Sequence, residues 1–238
     1  MTIHRTTVRS REAIALGTAA FHFDKPAGFR FQPGQAIDLV LREPGDGPDA
    51  RHAFSIASAP FEDELVVATR MRDSAFKRAL GALPVGAGVA IEGPFGELAL
   101  HADRARPAVF IAGGIGITPF MSMLRQAAHD RLAQRLVLLY SNRRPEDAAF
   151  LAELQALERQ HAEFRLVATM TAMRQSALPW TGSTGPIDEA LLERESATLV
   201  RPVYYVVGPP AMAEALRMTL NDIGVADDDI RSESFYGY

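Results

Sequence analysis

Short hydrophobic segments, separated by turn residues, make up much of the first hundred or so residues. These segments cover residues 35–41, 53–58, 64–70, 89–91 and 98–100, with stretches such as EPGDGPDA and GPFG between them. Several short strands at close spacing predict an antiparallel barrel or sandwich. One helix interrupts them, because Ser74 suits an N-cap and Phe76, Leu80 and Leu83 then share one face.

The pattern changes in the second half of the chain. Uninterrupted apolar runs at 108–112, 135–140, 164–169 and 203–207 predict strands buried on both faces. Helical patterns follow at 120–129, 147–160 and 211–224, and in the second of them Phe150, Leu154 and Leu157 are expected to stack. Strands alternating with helices indicate a parallel α/β sheet. The sequence therefore predicts two domains, over residues 1–103 and 104–238.

Composition and charge exclude several classes of protein. The chain has no cysteine, which removes disulfides, thiolate metal sites and thiol catalysis, and we expect no metal site. The chain has a net charge of −4, whereas a domain that binds nucleic acid is typically basic, so we expect no nucleic-acid partner. Residues 107–124 are uncharged, but their glycines and Pro119 favour a strand–turn–helix over a membrane span. Without a signal-like N-terminus, the protein is expected to be cytoplasmic.

A glycine turn follows the first buried strand of the second half. In FIAGGIGITPF, Gly114 and Gly116 match two positions of the dinucleotide fingerprint, whereas Pro119 stands where its last glycine belongs. Residues without a Cβ let a phosphate approach closely, and the free N–H groups of a helix start favour an anion. The alternative is a strained turn that binds nothing.

Two more turns are expected at the carboxyl ends of neighbouring strands, where open α/β sheets bind ligands. In YSNRR, Ser141, Arg143 and Arg144 suit a 2′-phosphate, whereas an acidic residue there would suit the ribose of NAD. A solvated basic loop is the alternative. In VVGPPAM, Gly208 permits close approach of a ligand and Pro209 stiffens the start of the next helix.

The stretch RHAFSIASAP carries more chemistry than a core strand needs. Arg51 and His52 stand at its start, followed by Phe54 and Ser55, which suggests a planar, anionic ligand. Strand side chains alternate, so His52 and Phe54 share a face and Arg51 points to the other.

These motifs, in this order, resemble the ferredoxin–NADP reductase family, of a bacterial type without an iron–sulfur domain. The resemblance rests on RHAFS, GGIGITP, GPP and the aromatic C-terminus, with FQPGQ and EGPFG in support. It implies an N-terminal antiparallel flavin-binding β-barrel followed by a C-terminal parallel-sheet α/β domain that binds NAD(P). It also implies hydride transfer from NADPH or NADH to FAD, and onward transfer to ferredoxin, flavodoxin, an oxygenase component or a small acceptor.

The resemblance also assigns residues. It places Phe54 against the flavin, the Ser55 hydroxyl near flavin N5 and Glu233 at the flavin edge, the last two as catalytic residues. The other implied cofactor contacts are Ala68, Thr69, Arg70, Ser74, Ala75, Phe76, Gly113, Gly114, Gly116, Thr118, Pro119, Gly208, Pro209, Phe235 and Tyr238. The C-terminal segment could equally be an edge strand that docks its aromatic side chains on the sheet.

Two departures from the family pattern keep other functions open. The position two residues before the aromatic is His52 where the family has Arg, and Val207 stands where many relatives carry Cys. Either Arg51 or His52 must therefore meet the FAD phosphates. The alternatives are a flavin-binding regulatory or assembly module with little turnover, a reductase of free flavin or ferric chelates, and a dehydrogenase of an organic substrate. Arg143 and Arg144 favour NADP(H) over NAD(H).

Overall fold

The computed structural model describes residues 2–41 and 51–234. The chain divides into two compact units, of which one comprises Met1–Ala99 with Thr118–Gln126 and the other Leu100–Ile117 with Ala127–Tyr238. Each unit is built on its own six-stranded sheet. Within the described residues, no helix is both long and apolar enough to span a membrane.

The first sheet is antiparallel throughout and follows the order β4-β3-β6-β1-β2-β5. Just beyond β4, the amide of Ala57 donates to the carbonyl of Val66 in β5 at 2.7 Å, which joins the two ends of the order. The sheet therefore curls into the barrel that the sequence predicts. Its elements are β1 (Thr2–Ala15), β2 (Thr18–Asp24), β3 (Ala36–Val40), β4 (Arg51–Ser55), β5 (Glu64–Arg70), β6 (Gly88–Phe95) and one helix, α1 (Ala75–Ala82).

Helix α1 begins where its sequence predicts. The Ser74 hydroxyl accepts from the Lys77 amide at 3.2 Å, which satisfies one of the N–H groups that a helix start leaves unpaired. Phe76 and Leu80 are buried in the barrel core, and Leu83 packs against it. The helix thus docks through the face that its spacing indicates.

The second sheet is entirely parallel, in the order β10-β9-β8-β7-β11-β12. The chain goes from β7 to β8 on one side and later returns to β11 on the other, so the strand order reverses beside β7. The strands are β7 (Ala108–Gly113), β8 (Leu136–Asn142), β9 (Phe164–Met170), β10 (Ser183–Thr184), β11 (Val203–Gly208) and β12 (Ile230–Ser234). The helices are α2 (Thr118–His129), α3 (Leu151–Gln160), α4 (Glu189–Ser196) and α5 (Pro210–Asp222).

The structure corrects several predicted boundaries. Residues 98–100 are not a strand, and the Leu98 carbonyl instead packs so closely over Gly34 that a Cβ there would lie 2.0 Å away. Helix α3 starts later than predicted, because Phe150 adopts a left-handed backbone with a φ of 59° and stands before the helix. Phe150 therefore does not stack with Leu154 along a helix face. Strands β1, β2 and β10 and helix α4 were not predicted.

Candidate functional site

Arg51 is held by two carboxylates of the barrel. Its Nη2 lies 2.6 Å from Asp38 Oδ2 on β3 and 2.6 Å from Glu92 Oε2 on β6. The hydrogen bond to Asp38 contributes most to raising the pKa of the Arg51 guanidinium. Arg51 is thus paired with carboxylates of two neighbouring strands, and its contact with a cofactor phosphate stays a prediction.

His52 lies with two aromatic side chains, as strand alternation predicts. Its ring stacks on Phe54 with centroids 4.9 Å apart and an interplanar angle of 25°, and lies 5.4 Å from the ring of Phe76 on α1. We call His52, Phe54 and Phe76 the aromatic cluster. Phe54 is 7% exposed, because His52 and Phe76 cover much of its ring, and Ser55 is buried as well. His52 itself is only partly buried.

The end of β5 and the start of α1 supply further residues of the expected site. Ala68 and Thr69 are buried, and Arg70 is partly exposed at the end of the strand. Ser74 caps the helix, and Ala75 is its exposed first residue. Lys77, in the same first turn, is buried; the sequence assigns it no cofactor contact, because burial of a lysine cannot be read from its neighbours along the chain.

In the second unit, the glycines lie where β7 and β11 end side by side. Gly114, with a φ of 51°, starts a 3₁₀ turn that runs to Ile117 and leads into Thr118 and Pro119 at the start of α2. A Cβ on Gly116 would lie 2.4 Å from the Val207 carbonyl oxygen. Gly116 is therefore required by close packing of this turn on β11, whether or not a ligand is bound.

Gly113 and Gly208 end these two strands and face each other. A Cβ on Gly208 would lie 3.3 Å from the Cα and N atoms of Gly113, and one on Gly113 would lie 2.4 Å from Met212 Sδ. Pro209 occupies the N-cap position of α5, and its carbonyl accepts from the amide of Met212 at 2.9 Å. The two predicted nucleotide turns are thus in contact at the carboxyl edge of the sheet, beside the reversal of strand order.

The two arginines after β8 have different surroundings. Arg144 forms two hydrogen bonds of 2.8 Å to the Asp147 carboxylate, whose side chain is 6% exposed. The hydrogen bond that Arg144 donates to the Asp147 side chain is the main cause of the raised pKa of Arg144. Arg143, in contrast, donates from Nη2 to the neutral side-chain oxygen of Gln175 at 3.0 Å. Ser141 is partly exposed at the end of the strand.

The turn after β9 is tied to this loop. The amide of Thr171 donates to the Asn142 carbonyl at 2.9 Å, and the amide of Ala172 donates to the Arg143 carbonyl at 2.8 Å. These bonds fix the backbone of Arg143, so its guanidinium extends from a rigid support.

Glu233 lies on the edge strand β12, in register with Val207 of β11. It is partly buried, and desolvation raises the pKa of its carboxyl group above the usual value. Residues 230–234 form an edge strand, which was the alternative for this segment. Phe235 and Tyr238 lie outside the described residues, and their assignment stays a prediction.

Comparison with known proteins identifies the family. The model named Oxidoreductase NAD-binding domain matches residues 110–218. Ferredoxin–NADP reductase B of Sorangium cellulosum is 31% identical over 216 residues, which are 87% of this chain and 86% of that protein. The chain belongs to the ferredoxin–NADP reductase family. The reductase component of propane 2-monooxygenase from Mycolicibacterium smegmatis, another relative, is 28% identical over 89% of this chain and 61% of that protein.

Solved structures of similar fold include reductases. A cytochrome P450 reductase from Amycolatopsis superimposes with a TM-score of 0.83 at 24% identity, over 98% of this chain and 70% of that one. A ferredoxin NADP⁺ reductase from Neisseria gonorrhoeae, solved with FAD and NADP, gives 0.80 at 23% identity over 98% of both chains. They confirm a barrel and a parallel sheet typical of the ferredoxin–NADP reductase family. The chain spans about three-fifths of the length of the first curated relatives that it matches.

Proposed function

We propose that this member of the ferredoxin–NADP reductase family is an FAD-dependent NAD(P)H reductase. The barrel holds FAD and the parallel-sheet unit holds NAD(P)H. With both bound, the protein would take reducing equivalents from NADPH or NADH and pass electrons to a separate acceptor such as ferredoxin, flavodoxin or an oxygenase component. The observation that carries the proposal is the contact of the two glycine turns at the strand-order reversal, in a chain that belongs to this family.

The nucleotide half of the proposal follows from the backbone at that edge. The turn from Gly114 to Ile117 and the first turn of α2 carry N–H groups at the carboxyl end of β7. A helix start combines such donors with a partial positive charge, which suits a diphosphate. Gly208 and Pro209 complete the edge from β11 and α5. We therefore assign the NAD(P)H diphosphate to these two turns.

The flavin half rests on the aromatic cluster and on α1. His52 presents a partly exposed ring, backed by the buried rings of Phe54 and Phe76, beside the capped start of a helix, which suits a cofactor with a planar ring and a diphosphate. When bound, FAD would supply the ability to accept a hydride and to release electrons one at a time. The chain needs to bind and orient the reactants, and positioning alone can contribute several kcal/mol of the barrier reduction, about 7 or more in favourable cases.

Two side chains are assigned to proton handling and orientation. Burial lets the Glu233 carboxyl group retain a proton at a higher pH than an ordinary glutamate, as a general acid near neutrality requires. We assign it the exchange of the proton that accompanies flavin reduction. The Ser55 hydroxyl, buried at the end of β4, is assigned to hydrogen bonding with the reacting edge of the flavin.

Arg143 supports a preference for NADPH over NADH. A 2′-phosphate can exchange with the neutral Gln175 oxygen for the Arg143 guanidinium, whereas Arg144 already has a carboxylate on two of its nitrogens. Arg144 then helps to shape the loop, and Arg143 is the expected phosphate ligand.

The test is reduction of the loaded protein without oxygen. We expect excess FAD to bind and NADPH to bleach the yellow band, after which an acceptor panel of ferredoxin, flavodoxin, free flavin and ferric chelate identifies what reoxidises it. Gly116→Ala is the matched control, because dithionite should still bleach it while NADPH should not. A protein that binds FAD but stays yellow with both NADPH and NADH would contradict the proposed reductase.

A further inference from the structure

Lys77 is a buried lysine without an acidic partner. Its side chain is 7% exposed, and among the residues that the structure describes no carboxylate forms a hydrogen bond or ion pair with it. Lysines are almost never fully buried unless they are paired, since an ammonium group loses its hydration on burial. A leucine or methionine would pack in this position at lower cost, so the charge needs another explanation.

The surroundings of Lys77 add positive charge instead of compensating it. The charge of Arg72, just before the helix, adds to desolvation in lowering the pKa of Lys77. Asp73, the acidic residue nearest to Lys77 along the sequence, forms an ion pair with Arg78. Lys77 also belongs to the first turn of α1, where the helix dipole is positive. Lys77, Arg72 and the helix start therefore combine their positive charge, and no carboxylate among the described residues pairs with Lys77.

Donors for such an anion are present in the same turn. The Ser74 hydroxyl accepts from the Lys77 amide, and within the described chain the amides of Ala75 and Phe76 donate to no acceptor. Side chains on a helix lean toward its N-terminus, so the Lys77 stem runs back along these amides. The ring of Phe76 at this turn also contacts His52 of the aromatic cluster.

We propose that Lys77, assisted by Arg72 and the first-turn amides of α1, binds the diphosphate of FAD. Lys77 then supplies a positive charge for a site where the family motif has an arginine and this chain has His52, while Arg51 is paired with Asp38 and Glu92. This inference rests on the proposed function, which it deepens by naming the residue that compensates for the missing motif arginine.

The experiment compares FAD with riboflavin, which has the same ring and no phosphate. Lys77→Met should weaken FAD binding about ten-fold to a hundred-fold, the range for one charge-assisted hydrogen bond, and leave riboflavin binding unchanged. Lys77→Arg keeps the charge and should retain FAD affinity within about three-fold. Arg78→Met, on the same helix but exposed and paired with Asp73, is the matched control and should bind FAD like the wild type.

A second readout separates binding from folding. Because an unpaired buried charge is removed, Lys77→Met should raise the thermal midpoint of the protein without FAD, while the midpoint gained on adding FAD becomes smaller. Equal weakening of FAD and riboflavin, or unchanged FAD binding by Lys77→Met, would overturn the role of Lys77 and leave the proposed function intact. A wild-type protein that binds neither flavin would overturn the proposed function and this inference with it.

Discussion

Replacing Arg143 with alanine tests the coenzyme preference most directly. The side chain is exposed and donates one hydrogen bond of 3.0 Å to Gln175, so its removal should change the free energy of unfolding by no more than about 0.5 kcal/mol. The backbone of residue 143 remains fixed by the amide of Ala172. The variant therefore keeps the loop and loses the charge.

The size of the effect follows from the exposure of Arg143. A hydrogen bond to a charged group contributes about 1.5–3 kcal/mol, and solvent at this surface places the value near the lower limit. Since about 1.4 kcal/mol is a factor of ten, the KM for NADPH should rise roughly ten-fold. The KM for NADH, which has no 2′-phosphate, should change less than about two-fold.

The assay is steady-state reduction of ferricyanide by the FAD-loaded protein with each coenzyme, at two salt concentrations. Added salt should reduce the difference between wild type and variant for NADPH, because it screens an exposed charge pair. Arg144→Ala is the comparison: it removes the guanidinium that pairs with the buried carboxylate of Asp147, so we expect a lower free energy of unfolding and no selective effect on NADPH.

Equal changes in KM for both coenzymes in Arg143→Ala would refute the assignment. A selective loss of NADPH in Arg144→Ala, with stability unchanged, would show that the Asp147 pair opens to admit the phosphate.

Three further outcomes can be measured. Gly116→Ala should prevent NADPH binding in calorimetry, since its Cβ would lie 2.4 Å from the Val207 carbonyl oxygen. An unchanged affinity for NADPH would mean that β11 moves away from the new methyl group at little cost. Ser74→Ala should lower the free energy of unfolding in urea by about 1 kcal/mol through loss of the cap. An unchanged urea midpoint would show that the cap does not contribute to stability. His101, whose pKa is lowered chiefly by burial and whose Nδ1 lies 2.8 Å from the Tyr205 hydroxyl, stabilises the fold while neutral. That contribution is complete above about pH 6.5 and is lost as the pH falls below it. In His101→Asn, the free energy of unfolding should therefore fall less steeply as the pH is lowered. The same dependence of stability on pH as in the wild type would contradict this role of His101.

The sequence predicts best those features that depend on neighbours along the chain. The start of α1 follows from Ser74, and the strands of the parallel sheet follow from runs buried on both faces. Strand β1 was missed because much of TIHRTTVRSREAIA is exposed and polar, so it is a strand by pairing with β2 and β6 and not by its own pattern.

The candidate site also depends on contacts between residues that are distant along the chain, which the sequence does not predict. Alternation placed Arg51 and His52 on opposite faces, but the partners that neutralise Arg51 come from Asp38 and Glu92, which only strand pairing brings beside it. The two arginines after β8 look equivalent in SNRR, and it is Asp147 in three dimensions that distinguishes them. Burial of Lys77 is likewise a property of the folded barrel.

The bond between Ala57 and Val66 has a consequence for self-association. Exposed strand edges are templates on which another chain can add a strand and start an aggregate. This bond gives the two ends of the barrel sheet a contact with each other, whereas β12 and the two-residue β10 end the parallel sheet with a strand partner on one side only within the described residues. Crowded solutions of this protein should therefore associate first through β12, and a proline introduced at an outward-facing amide of that strand should slow the growth of fibrils.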